Sequence, residues 1–182
     1  MKILYVTKND NKLAHAQQFT AGSGIEIKSS KIEVPEIQAA SVHEVIKHKA
    51  LSAWNLLQKP LIVSDSGWEI PALGGFPGPY MHHINSWFTP EDFLALMQKK
   101  QDKKIVLNHL IAVVLNGEPK IFTEKTYGKF ISQPRGRGTS LDRVVVMGKS
   151  HGTIAENNNA GIVSADGQAI WSEIVEYILT GK

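Results

Sequence analysis

"KILYVTKNDNKLAHAQQFT", residues 2–20, changes its pattern of apolar residues halfway along. Residues 2–7 form an apolar run that is typical of a buried strand, whereas Leu13, Ala16 and Phe19 follow the spacing of one helix face. A short polar turn separates the two parts. This order predicts a strand followed by a helix, which is how a chain of the α/β class begins.

The alternation of strands and helices continues through the first hundred residues. Strands are predicted at residues 24–30 and 60–65, and both are rich in apolar or β-branched side chains. Ser41 opens a capping box and predicts a helix that runs to about residue 57. Thr89, followed by proline and two acids, predicts the N-cap of another helix.

The middle of the chain departs from this alternation. Residues 70–79 hold three Gly and three Pro, which predicts an irregular, shaped loop. Residues 104–115 and 119–131 are long β-type runs joined at an Asn-Gly pair, a strong hairpin signal. An apolar stripe over residues 168–179 predicts the last helix. The sheet should therefore be mixed, within one α/β domain that covers residues 1–182.

Composition limits the classes of function. The 182 residues carry a net charge of +3, and they contain no cysteine, so disulfides and thiolate metal sites are excluded. No histidine pair has the spacing of a zinc hydrolase. No apolar run approaches the roughly 18 residues of a membrane span, and the N-terminus is too poor in apolar residues for a signal peptide. We therefore expect a cytoplasmic protein without a membrane partner.

Three polar residues follow the first predicted strand and lead into the helix. Thr7 and Asn9 can donate hydrogen bonds at this junction, and Lys12 brings a positive charge into the first helical turn. Free backbone N–H groups and the helix dipole make such a junction a ready site for phosphate. In the alternative interpretation, Asn9 or Asp10 only caps the helix and Lys12 is solvated.

A second group of candidates follows the third predicted strand. Asp65 stands at its carboxyl end, where open α/β sheets collect ligands, and Ser66 and Gly67 would let the backbone approach a ligand closely. A carboxylate there can bind a divalent metal or take a proton from water, and phosphate substrates favour Mg²⁺. Glu36, in a loop stiffened by proline, and Lys49, on the second helix, are further candidates. Taken alone, Asp65 is equally compatible with a cap, whereas a single Glu36 or Lys49 is typical of a solvated surface side chain.

Taken together, these motifs resemble the inosine triphosphate pyrophosphatase family, which hydrolyses non-standard purine nucleoside triphosphates to monophosphate and pyrophosphate. The family pattern T-x-N-x-x-K is matched at residues 7–12, its P-E-x-Q loop at residues 35–38 and its helical Lys-Ala pair at residues 49–50. Its long signature, D-[ST]-G followed by A-L-G-G-x-P-G-x-Y, is matched at residues 65–67 and 72–80. The resemblance spans nearly the whole chain.

The resemblance implies a fold, a reaction and a role for each matched residue. The fold would be an elongated mixed β-sheet with flanking helices, forming two lobes around a central cleft, usually as a homodimer. The substrate would be a nucleoside triphosphate, with Mg²⁺ as cofactor. The implied triphosphate ligands are Thr7, Asn9, Lys12 and Lys49, the implied metal ligands Glu36 and Asp65. Asp65 would also activate or position the water that attacks the α-phosphorus.

Several positions depart from the family pattern. Ser64 stands where the family has a second acid before its aspartate, which leaves one carboxylate fewer for metal. In the base-recognition loop Asp142 aligns with the family aspartate, but Thr139 and Leu141 replace aromatic residues. In the last motif Ser164 is kept, whereas its cationic residues are replaced, in part by Ala165 and Asp166. An altered base preference is therefore expected.

Two other interpretations remain open at this stage. A catalytically weak relative that only binds nucleotide would be consistent with Ser64 and the lost basic residues. An RNA-binding module would rest on "PRGRG", residues 134–138, and on the lysine run at residues 99–104. That run is also typical of a solvated helix end, so no nucleic-acid polymer is expected as a partner.

Overall fold

The computed structural model describes residues 1–162 and 168–181. Within these residues the order of elements alternates at first and then changes. The helices are α1 Asp10–Thr20, α2 Val42–Leu57, α3 Met81–Trp87, α4 Pro90–Met97, α5 Ile154–Asn159 and α6 Gln168–Thr180. The strands are β1 Lys2–Val6, β2 Glu26–Ser30, β3 Leu61–Glu69, β4 Pro77–Gly78, β5 Lys104–Val114, β6 Pro119–Phe130 and β7 Val145–Met147.

The described strands form one mixed sheet in the order β2-β1-β3-β5-β6-β7, with β4 paired to β3. β1 runs parallel to β2 and to β3, because α1 and α2 carry the chain back between them. β6 and β7 are antiparallel. The prediction of a mixed α/β sheet with flanking helices is confirmed.

The chain divides into two compact units. The first takes in residues 1–65 and 109–124 together with α6, and the second takes in residues 66–108 and the chain from 125 through α5. Two apolar clusters build the core of the first unit, one around Ile3, Ile62 and Ile174 and one around Ile46 and Val63. The core of the second unit gathers around the buried Phe93 and Leu141. The expectation of a single domain stays a prediction.

The first helix begins as the sequence predicts. Asn9 is its N-cap, and its side-chain oxygen accepts hydrogen bonds from the backbone N–H groups of Asn11 and Lys12 at 2.9 and 3.2 Å. α2 begins in the same way, since the Ser41 hydroxyl accepts from the N–H of Glu44. These caps satisfy backbone donors that a helix start leaves unpaired.

Two predicted boundaries were wrong. β3 does not end at Asp65 but continues to Glu69, because its last residues pair with β4 at Trp68–Gly78 and Glu69–Pro77. Asp65 therefore lies inside a strand and not at its end. The loop at residues 70–79 is also less irregular than predicted, since it holds a 3₁₀ turn over Pro71–Leu73 as well as β4.

Candidate functional site

A cavity of about 530 Å³ lies in the first unit, beside the junction of β1 and α1. Its wall comprises the end of β1 and the loop at residues 32–36, together with Lys12, Lys49 and Ser64. Three ammonium groups and two carboxylates thus face one space of ligand size. The residues with these charges are Lys8, Lys12, Lys49, Glu33 and Glu36.

The junction itself is built by side chains that bind their own backbone. The Thr7 hydroxyl accepts a hydrogen bond from the N–H of Asn9 at 3.1 Å, and Asn9 in turn caps α1. The capping half of the alternative interpretation is therefore correct. Its other half is wrong, because Lys12 is not a solvated side chain. Lys12 is half-buried, and its Nζ donates to the Ser64 hydroxyl at 3.4 Å.

The charges on the wall are not evenly compensated. Lys8 forms an exposed ion pair with Glu33 at 2.6 Å, and the largely buried Lys49 pairs with Glu36 at the same distance. Among the described residues, Lys12 by contrast donates its side-chain hydrogen bond to a neutral group, the Ser64 hydroxyl. Burial lowers the pKa of Lys12, and the charge of Asp65 opposes that shift. An anion entering the cavity would therefore gain the most from Lys12.

Lys49 joins the two carboxylates that the sequence suggested as metal ligands. Its Nζ lies 2.6 Å from Glu36 Oε1 and 3.8 Å from Asp65 Oδ2, and its side chain is only 17% exposed. Glu36 is 61% exposed and Asp65 26% exposed, so both carboxylates remain reachable from solvent. The structure thus brings together six candidates within one unit, namely Thr7, Asn9, Lys12, Glu36, Lys49 and Asp65.

The remaining candidates belong to the second unit or lie outside the described residues. Ser66 and Gly67 continue β3 in the second unit, where Ser66 is exposed and Gly67 buried. Asp142 also belongs to the second unit, and burial raises its pKa against the effect of hydrogen bonds from Thr139. Ser164 lies outside the described residues, as do Ala165 and Asp166.

Leu141, in the loop that the sequence analysis expected to recognise the base, has a structural role. Leu141 is 1% exposed and packs in the core of the second unit, so it offers no surface on which a base could stack. Its backbone N–H donates to Asn85 Oδ1 at 3.1 Å, which fixes the loop to α3. The replacement of an aromatic residue there is consistent with a core position.

Two residues near the cavity, Tyr5 and His109, were not singled out from the sequence. The Tyr5 hydroxyl donates to Ser64 at 2.7 Å, and burial raises the pKa of this tyrosine. His109, on β5, has a pKa lowered to about 4 by burial and by the charges of Lys12 and His15. Both belong to β-type runs of mostly apolar residues, so nothing in the sequence separates them from core residues.

Two of the basic residues that suggested RNA binding, Arg135 and Lys103, make contacts within their own unit. Arg135 donates from Nη2 to the carbonyl of His151 at 3.1 Å and lies 3.5 Å from Glu156. The Lys103 ammonium donates to the carbonyl of Met97 at the end of α4. These contacts tie the basic groups to their own unit.

Comparison with known proteins places the chain in a family. The sequence model of the Ham1 family matches residues 3–164. The chain belongs to the Ham1 family. It is 32% identical to the dITP/XTP pyrophosphatase of Methanopyrus kandleri, over 86% of this chain and 84% of that protein. It is 31% identical to the dITP/XTP pyrophosphatase of Pyrococcus horikoshii, over 86% and 84%.

Solved structures of Ham1 proteins share the fold. The chain matches the HAM1 protein of Coxiella burnetii with a TM-score of 0.79 and 22% identity, over the full length of both chains. It matches the Ham1 protein of Staphylococcus aureus with a TM-score of 0.76 and 18% identity, again over the full length of both. At 22% and 18% identity, these comparisons show a shared fold and no more.

The described residues form neither a cluster of metal ligands nor a membrane-spanning helix. In residues 1–162 and 168–181 no group of three or more His, Cys, Asp or Glu side chains could hold a metal ion. None of the described helices combines the length and the apolar character that a membrane crossing requires.

Proposed function

We propose that this Ham1 protein hydrolyses nucleoside triphosphates to nucleoside monophosphate and pyrophosphate. The observation that carries the proposal is the cavity wall, where Lys12, Glu36 and Lys49 lie together. Lys49 also connects this wall to Asp65, whose carboxylate lies 3.8 Å from its ammonium group. The names of the relatives from Methanopyrus kandleri and Pyrococcus horikoshii, dITP/XTP pyrophosphatases, support the same reaction. Non-standard purine nucleotides are therefore the first substrates to test.

The triphosphate would bind at the start of α1. Thr7 and Asn9 each use an oxygen to accept from the backbone, which fixes the side chain while leaving its own donor hydrogens available. Lys12 contributes the charge, and the N-terminal end of α1 contributes its dipole. Preorganised donors of this kind neutralise phosphate charge without having to reorganise when the substrate arrives.

Glu36 and Asp65 could hold Mg²⁺ together with the phosphates of a bound substrate. Mg²⁺ is usually bound through one or two carboxylates, and the phosphates of the substrate and water fill the other positions. Glu36 and Asp65 supply two carboxylates that contact the same ammonium group. Bound Mg²⁺ would supply neutralisation of the phosphate charge. Ser64 adds no carboxylate, so we expect metal affinity to depend on the nucleotide.

Asp65 and Lys49 have complementary roles in this reaction. The Asp65 carboxylate would accept a proton from the attacking water, or hold that water in line with the bond to be broken. The Lys49 ammonium group lies 3.8 Å from this carboxylate and would help to keep it oriented. Water would add to the α-phosphorus, and pyrophosphate would leave with the electrons of the α–β bond.

We expect an altered base preference. Leu141 is a core residue, and Asp142 is half-buried beside Thr139, so the loop lacks the aromatic surface that the resemblance implies. Stacking on an aromatic ring contributes roughly 1–3 kcal/mol per base. Stacking is nearly independent of the base, so the loss of cationic donors from the last motif, each worth roughly 1.5–3 kcal/mol, is what should reduce the ratio of kcat/KM between dITP and dATP.

Pyrophosphate release, measured over a panel of standard and modified triphosphates with Mg²⁺, tests the proposal. Asp65→Asn should reduce pyrophosphate release at least about 100-fold, because the amide that replaces the carboxylate cannot take a proton. Glu118→Gln is the matched control, since it removes an exposed carboxylate from the β5–β6 turn. Silence of the unmodified protein across the panel, with nucleotide binding intact, would instead support a relative that only binds nucleotide.

The assembly and the location of the protein stay predictions from the sequence. A homodimer is implied by the family resemblance, and light scattering coupled to gel filtration would measure it. A cytoplasmic location is the expectation from composition, and fractionation of cells that express the chain would test it.

A further inference from the structure

Ser64 is a buried serine on the cavity wall whose hydroxyl is approached by two donors. It is 6% exposed and lines the cavity. The Tyr5 hydroxyl lies 2.7 Å from Ser64 Oγ, and Lys12 Nζ lies 3.4 Å from the same atom. A serine hydroxyl has two lone pairs that accept and one hydrogen that it can donate. The roles of the two neighbours decide where that hydrogen points.

Both neighbours donate to Ser64. An ammonium group has no lone pair, so Lys12 can only donate. Tyr5 is 2% exposed, and a buried phenol needs a partner for its hydrogen. A phenol is also a stronger acid than an aliphatic alcohol, so Tyr5 is the donor of this pair. The two lone pairs of Ser64 are therefore occupied from inside the protein.

The hydrogen of Ser64 is then left for the cavity. In the part of the chain that the structure describes, the hydrogen bonds recorded for Ser64 are those in which it accepts from Tyr5 and Lys12. A buried donor without an acceptor is costly, and this one lies on the wall of a cavity. The geometry thus favours a ligand that carries acceptor oxygens and binds close to Lys12.

We propose that Ser64 is a further substrate-binding residue, which donates its hydroxyl hydrogen to an oxygen of the bound triphosphate. Tyr5 is the positioning residue that keeps the hydroxyl turned toward the cavity. This inference rests on the proposed binding of triphosphate. A carboxylate at this position would attract metal and repel phosphate, whereas a hydroxyl binds phosphate directly and needs no metal for it.

Calorimetric titration with inorganic tripolyphosphate, in EDTA and without divalent cation, tests this contact apart from base preference and from hydrolysis. Ser64→Ala should weaken binding about 10- to 100-fold, the usual effect of losing a hydrogen bond to a charged group. Tyr5→Phe should weaken it about three- to tenfold, because the Ser64 hydroxyl can then turn inward. Ser23→Ala is the matched control, since its hydroxyl donates to Thr20 at the far end of α1.

Each outcome bears on the inference. Unchanged affinity in a folded Ser64→Ala variant overturns it, and so does an unmodified protein that does not bind tripolyphosphate. If Ser64→Ala does not fold, unchanged affinity in Tyr5→Phe overturns the inference and reduced affinity supports it. If the unmodified protein hydrolyses triphosphates while Ser64→Ala binds normally, only the inference fails. Binding that depends on Ser64 without hydrolysis of any nucleotide supports the inference and refutes the proposed function.

Discussion

Replacement of His109 by Gln is expected to make the protein less sensitive to acid. In the folded protein the pKa of His109 is about 4, whereas its ordinary value is 6.5. The cause is burial first, and then the charges of Lys12 and His15 that face the ring. An imidazolium at this place would be desolvated and repelled, so the native state holds the ring neutral.

The direction and the size of the effect follow from proton linkage. Because the folded pKa is the lower one, the unfolded chain takes up a proton first as the pH falls through 6.5. Stability is therefore lost between pH 6.5 and pH 4, and no further loss from this group occurs below pH 4. At pH 4.5 the loss from His109 amounts to about 2.5 kcal/mol relative to pH 7.5.

Urea denaturation at pH 7.5 and pH 4.5 measures this contribution. The loss of unfolding free energy between the two pH values should be about 2.5 kcal/mol smaller in His109→Gln than in the unmodified protein. His43→Gln is the matched control, since His43 is exposed on α2 of the same unit. An equal loss in the unmodified protein and in His109→Gln would refute the reasoning, as would an NMR titration midpoint of His109 near 6.5. Bound tripolyphosphate should raise the pKa of His109, because it neutralises Lys12.

Three further predictions concern the site and the fold. Lys49→Gln should raise KM for the triphosphate about tenfold or more in steady-state kinetics, since it removes a cation from the cavity wall and leaves Glu36 without its partner. Asn9→Ala should lower the free energy of unfolding by about 1 kcal/mol in urea, because two backbone N–H groups of α1 lose their cap. Gly136→Ala should cost about 1–3 kcal/mol in the same measurement, since φ is +78° and a Cβ would lie 2.8 Å from the N of Glu156.

Local signals in the sequence were sufficient for most of the secondary structure. Asn9 and Ser41 were recognisable as helix starts because capping is a contact between residues two or three apart. The hairpin between β5 and β6 followed from its Asn-Gly pair in the same way. The end of β3 was not predictable, since it depends on pairing with β4, which lies beyond the following loop.

The sequence by itself determined the class of the fold and the order of its main elements, and it singled out six polar candidates for the site. The residue patterns that signal periodicity and capping are local, so they can be read from the sequence before the chain folds. Only the tertiary structure decided that Lys12 lies against Ser64 and that Leu141 belongs to a core. It also decided that Lys49 forms an ion pair with Glu36 and lies close to Asp65. These facts depend on burial and on contacts between residues far apart in the chain, and neither quantity exists before the strands are assembled.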